Sequence, residues 1–170
     1  FHALSDSVSI VSYGRRLYTL NPKQSQIYKY QRVRNSLSNP SEYFSLAVDE
    51  LKNAQQITID GSIYISFSDG SIKQYYQGAE NEFFKLESQP LTELAQIDDI
   101  FTDFDHNYLY VLEADANRIV KFYKQNDGDL SYIDQISFPD VRDAERMFVD
   151  YNAAKIYLAS DTKVYLISMD

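Results

Sequence analysis

The side chains able to do chemistry fall into a few small groups. Asp98, Asp99, Asp143, Glu145 and Arg146 lie in two polar stretches, 96–99 and 140–146, each leading into an apolar segment. Carboxylates beside a guanidinium can hold a polar or cationic ligand through charge-assisted hydrogen bonds. The competing reading is ordinary solvated loop charge. Asp103-x-Asp105-x-Asn107 places oxygen ligands at alternate positions, as the opening of a calcium loop does. Tyr108 stands where such a loop needs Gly, and Ala114 where it needs a bidentate Glu. Asp and Asn also cap the backbone of tight turns, which is the rival account of this motif.

His2 and His106 are the only histidines, and neither has a second His at a ligand spacing. A Ser-His-Asp triad would have to use His106, and no G-x-S-x-G elbow is present. There is no Gly-rich phosphate loop. With no Cys, disulfides, thiolate zinc sites and Cys nucleophiles are excluded together. No cofactor is expected. Tyrosines on strands offer stacking surfaces for glycans or peptides, or else pack with the hydroxyl hydrogen-bonded at an edge.

These groups must be carried by strands. Fifteen Tyr and ten Phe, against four Pro and five Gly, favour β structure. Ile100–Tyr123 (IFTDFDHNYLYVLEADANRIVKFY) reads as three strands, Ile100–Thr102, Tyr108–Leu112 and Arg118–Tyr123, joined by polar turns. The pattern recurs. The second-strand Tyr appears at Tyr18, Tyr64, Tyr110 and Tyr157, at intervals of 46, 46 and 47. Third strands begin at Ile27, Ile72, Ile119 and Val164, and first strands give Ile10, Ile57, Ile100 and Met147. An outer strand is expected near Tyr43–Ala47, Phe83–Leu86 and Tyr132–Ile136, but the last repeat reaches Met169 without one.

Four antiparallel strands in about 40–50 residues is the signature of a β-propeller blade. The fold class is therefore all-β, a β-propeller of about four blades over 8–47, 54–87, 97–137 and 144–170, forming one domain or a fragment over 1–170. A lone blade cannot hide its two apolar faces, so the repeats must stack. Two closures are open. Phe1–Leu4, within an outer-strand candidate over 1–5, completes the last blade of a closed four-bladed ring. Otherwise it belongs to a preceding blade of a ring of about six to eight blades. An open ring would expose blade faces and favour a homodimer. The chain begins with Phe1 rather than Met, as expected of a piece of something longer.

RLYTLNPKQSQIYKY (Arg16–Tyr30), ITIDGSIYISFSDGSIKQY (Ile57–Tyr75) and YLYVLEADANRIVKFYKQNDGDL (Tyr108–Leu130) resemble NHL/YVTN-type propellers, Asn117-Arg118-Ile119 being the most NHL-like element. The order of these phrases is also similar to propeller domains of uncultivated, small-genome bacteria, where the propeller follows a PP2C-type phosphatase domain and a transmembrane helix. That resemblance implies the extracytoplasmic, sensing or docking half of a membrane-anchored protein. It carries over no activity, since the acidic metal-binding motifs of such phosphatases are absent.

The net charge of −9 argues against nucleic acid and anionic membrane surfaces, and no apolar run is long enough to span a bilayer. The expectation is a non-catalytic binding or scaffolding propeller whose partner is a protein or a small polar ligand. The alternative is a propeller enzyme, a lactonase-like hydrolase or a lyase, with a divalent metal on the channel axis. Apolar inner positions Ile10, Ile57, Ile100 and Met147 count against that alternative.

Overall fold

The structure, a computed structural model, describes residues 2–126, 128–138, 141 and 143–169. It is all-β: four small antiparallel sheets, each a β-propeller blade. The chain divides into two compact units, Phe1–Phe83 and Phe84–Asp170, with two blades in each.

In the first unit, β1 (Ser9–Tyr13), β2 (Arg16–Asn21) and β3 (Gln26–Val33) form an antiparallel meander. Two short segments, β4 (Ser36–Leu37) and β5 (Ser41–Glu42), both pair with β3. The second blade is the meander β6 (Ala54–Ile59), β7 (Ile63–Phe67), β8 (Ile72–Tyr76) and β9 (Ala79–Glu80). Strands covered on both faces need apolar or β-branched residues at successive positions. All five residues of β7, IYISF, are buried. Leu20 and Ile27 of the first blade pack with Ile57, Ile65 and Tyr75 of the second, and Phe44 and Leu51 of the crossover join them. Each fully buried Leu or Ile contributes roughly 1.5–3 kcal/mol by leaving water.

In the second unit, β11 (Asp99–Thr102), β12 (Tyr108–Glu113), β13 (Arg118–Lys124) and β14 (Leu130–Ser137) form the third blade, to which β10 (Leu86–Ser88) adds by pairing parallel with β14. The fourth blade is β15 (Arg146–Asp150), β16 (Lys155–Ala159) and β17 (Val164–Ser168). Its Met147, Ile156 and Leu158 pack against Tyr110, Leu112 and Ile119.

One turn repeats between the second and third strands. It ends on a residue with positive φ in three blades: Ser25, Gly70 and Asn117. In each, that residue's N–H bonds the carbonyl three positions back, on Pro22, Phe67 and Ala114. Asn tolerates this left-handed conformation better than most residues, which is why Asn117 suits the turn.

Three expectations for the outer strands need correction. His2–Ser5 forms a helical turn instead of a strand, and Phe1 lies outside the described residues. Tyr43–Ala47 is not the outer strand of the first blade. Phe44 turns inward there, and the pairing falls to β4 and β5. Phe83–Leu86 does not complete the second blade, since β9 does so and Leu86 pairs with Leu130 of the third. At Tyr43–Ala47 the apolar signal is Phe44, which is buried against the second blade and the crossover; at Phe83–Leu86 it marks no burial, since Phe83 is exposed. Among the described residues, no helix is long and apolar enough to cross a membrane.

Candidate functional site

Asp98 and Asp99 enter the third blade, and both carboxylates are engaged by backbone. Asp98 Oδ2 accepts from the Ala114 N–H at 2.7 Å, and burial raises its pKa. Asp99 Oδ2 accepts from the Met147 N–H at 2.7 Å and Oδ1 from the Ile100 N–H at 3.0 Å. It thereby ties β11 to β15 of the next blade. Burial pushes the Asp99 carboxyl up to about 6, opposed by the two N–H groups and by Arg146. In the first unit Ser9 does the same job, its hydroxyl accepting from the Ile57 N–H at 3.4 Å.

The other candidates are more scattered. Arg146 is exposed, donates to the Glu145 carbonyl at 2.6 Å, and lies within electrostatic reach of Asp99. Asp143 accepts from the Tyr165 hydroxyl at 2.9 Å, which holds its pKa below the usual carboxylate value. The Glu145 side chain is exposed, and its N–H bonds the Ala159 carbonyl. Asp140 and Arg142 of the same loop lie outside the described residues. Asp98, Asp99 and Arg146 thus share one neighbourhood, while Asp143 faces β17.

The Asp103–Asn107 turn is closed on itself. Asp103 Oδ1 accepts from the N–H groups of Asp105 at 3.1 Å and His106 at 2.9 Å, and from His106 Nδ1 at 2.9 Å. The His106 ring stacks on Tyr151 with centroids 3.4 Å apart. Asp105 and Asn107 are exposed. Among the described residues, no group of three or more His, Cys, Asp or Glu is placed to hold a metal ion.

Two buried polar residues brace the blade ends. Glu113 Oε2 receives Arg118 Nε at 2.7 Å and Nη2 at 2.6 Å. Arg118 also donates to Gln135 and to the carbonyls of Thr92 and Glu93, and Glu113 Oε1 accepts from the Ala95 N–H. The pair clamps the 92–95 loop onto β12 and β13. In the first blade, Gln26 holds the N–H and the carbonyl of Phe44 from the corresponding position.

One concavity was not expected from the sequence. A cleft of about 390 Å³ lies between the first and second blades. Tyr13, Tyr18, Tyr43 and Tyr76 line it with Arg16 and Lys29, over a floor of Ile59 and Ile63. Lys29 faces Tyr18 across the strand pair and lies 5.5 Å from the Tyr43 ring centroid. Burial raises the Tyr43 pKa, so its phenol stays protonated and a hydrogen-bond donor. The repeating Tyr18 was visible in the sequence, but its role beside Lys29 depends on strand register. Between the third and fourth blades the corresponding Lys121 sits 4.0 Å from the Tyr108 ring.

No protein-family model matches the chain, and no curated protein matches it. Solved structures do. A Lactobacillus plantarum protein aligns with a TM-score of 0.63 and 17% identity over 91% of this chain and 48% of its own. The computationally designed Ika4 protein aligns at 0.58 and 11%, over 96% of this chain and 91% of its own. A Bacteroides uniformis protein provisionally described as a 6-phosphogluconolactonase aligns at 0.53 and 14%, over 91% of this chain and 47% of its own. This chain therefore spans about half the length of the two bacterial proteins. Identities this low bear on the fold alone.

Proposed function

We propose that this chain is a non-catalytic binding propeller whose partner is a small polar ligand or a protein. The observation that carries this reading is the contrast between its carboxylates and its cleft. Asp98, Asp99 and Asp103 engage backbone N–H groups, whereas the Tyr-lined cleft is preformed and also lined by Arg16 and Lys29. The resemblance to propellers that follow PP2C-type phosphatase domains and a transmembrane helix supports a finer version: the sensing or docking part of a membrane-anchored signalling protein, facing away from the cytoplasm. A turnover screen tests the reading. Hydrolase or lyase activity that disappears in Asp98→Asn or Asp99→Asn would overturn it.

A second reading, a lactonase-like enzyme with an axial divalent metal, is favoured by the likeness to the Bacteroides uniformis protein. Lactone hydrolysis stimulated by magnesium, manganese or calcium would support it. The same assay therefore decides between the two.

A further inference from the structure

We infer that the cleft between the first two blades binds a small anionic sugar, a pyranose bearing one carboxylate or phosphate. This rests on the binding reading and names the class of ligand.

Charge is the first argument. Residues 7–41 contain Arg15, Arg16, Lys23, Lys29, Arg32 and Arg34 and no carboxylate at all. Residues 1–83 hold eight basic and eight acidic residues, so the whole excess of −9 falls in 84–170. Arg15 and Arg16 sit at the β1–β2 turn, and the Arg32 N–H bonds the Arg15 carbonyl at 3.1 Å, which brings the β3–β4 turn with Arg34 to the same end of the blade. Among the described residues, neither Arg16 nor Lys29 has a carboxylate partner. Two cations without a carboxylate partner among the described residues create a local positive potential where an anion would gain most. Arg16 presents a planar fork that suits carboxylate or phosphate, and Lys29 a point charge beside it.

The rings are the second argument. Tyr76 is 55% exposed, and Tyr13 and Tyr43 are half-buried, so ring faces remain open to a ligand. An aromatic face takes the C–H side of a pyranose while phenol groups reach its hydroxyls. Gln31, Ser38 and Gln77 add hydrogen-bonding groups around the rim. The volume lies within the range of small-molecule sites.

The repeat supplies an internal control. Gly61 follows Asp60 as Tyr151 follows Asp150, at the same place in the inner hairpin. In the second unit that place is filled by Tyr151 stacked on His106. In the first unit Gly61 leaves it clear; a Cβ there would meet the Tyr13 hydroxyl at 3.4 Å. A peptide strand is a poorer occupant, because strand addition needs a continuous edge and β4 and β5 have two residues each.

The test is a titration of the ¹⁵N-labelled chain with glucuronate, glucose 6-phosphate, glucose and inorganic phosphate, following the Gly61 and Gly78 amides. Saturable shifts are expected with glucuronate or glucose 6-phosphate, at least about tenfold tighter than with glucose or phosphate alone. Whichever anionic sugar wins identifies the anion. Arg16→Gln and Lys29→Gln should each weaken that binding about tenfold with unchanged melting, since neither cation braces the fold. Absence of shifts with both anionic sugars overturns the inference, as does equal binding of glucose or of phosphate alone. Glucose binding as tightly as the anionic sugars would overturn the anionic class while leaving a binding propeller; turnover would overturn the binding reading itself.

Discussion

Arg118→Ala should destabilise the second unit severely. The Arg118 and Glu113 side chains are 8% and 3% exposed and meet at 2.6 Å. Truncating Arg118 leaves the Glu113 carboxylate buried with the Ala95 N–H as its remaining donor among those described above, and removes the donors holding Thr92 and Glu93. Breaking a buried pair from one side costs about 3–5 kcal/mol, because a charge stays behind without its partner. At about 2–4 °C per kcal/mol for a chain of this size, melting should fall by roughly 6–20 °C. Urea unfolding followed by circular dichroism and tyrosine fluorescence measures the loss. Glu113→Leu combined with Arg118→Met should lose much less, because both charges go and volume is retained. A loss below about 1 kcal/mol for Arg118→Ala would refute the clamp. So would a double variant as damaged as the single one.

Two further outcomes follow from the other carboxylates. The Asp99 carboxyl is raised to about 6 from an ordinary 3.8, so the folded chain binds that proton more tightly than the unfolded one. Its contribution, about 3 kcal/mol, is therefore fully present below pH 4, lost between pH 4 and 6, and flat above. Asp99→Asn should remove that downward slope in a plot of unfolding free energy against pH. At the Asp103–Asn107 turn, millimolar calcium should leave melting unchanged, since Asp103 Oδ1 already serves two N–H groups and a ring nitrogen; a calcium-dependent rise would reinstate the metal site.

The strand repeat was legible because Tyr18, Tyr64, Tyr110 and Tyr157 each mark a second strand, the first three buried and Tyr157 half-buried. The outer strands were not. Apolar residues such as Phe44 report burial without reporting which element covers them, and two-residue strands like β5 and β9 leave no periodicity to read. Asp98 and Asp99 read as candidate ligand groups, and their backbone bonds were not legible, because a carboxylate engaged by N–H groups has the same letter as one open to a ligand. The cleft was hidden for a different reason. Arg16, Lys29, Tyr43 and Tyr76 are spread over 60 residues and converge only through strand register and blade packing. The one available clue was the carboxylate-free run from 7 to 41, which the whole-chain charge masked.

The parallel strand β10 sets an order of events. It precedes the third blade in sequence, yet Leu86 pairs with Leu130, so its docking closes a loop containing most of that blade. Local hairpins β11–β12 and β12–β13 close much shorter loops and incur less entropy loss at each step. The partners of β10 exist only once β14 has been laid down. It holds by a few bonds: Lys85 N–H to Asp129, Leu130 N–H to the Lys85 carbonyl, and Tyr132 N–H to Ser88. An element that docks late on few bonds is also the one that opens first. The amides of Leu130 and Tyr132 should therefore exchange with solvent through a local peeling of β10, well before the blade beneath it unfolds.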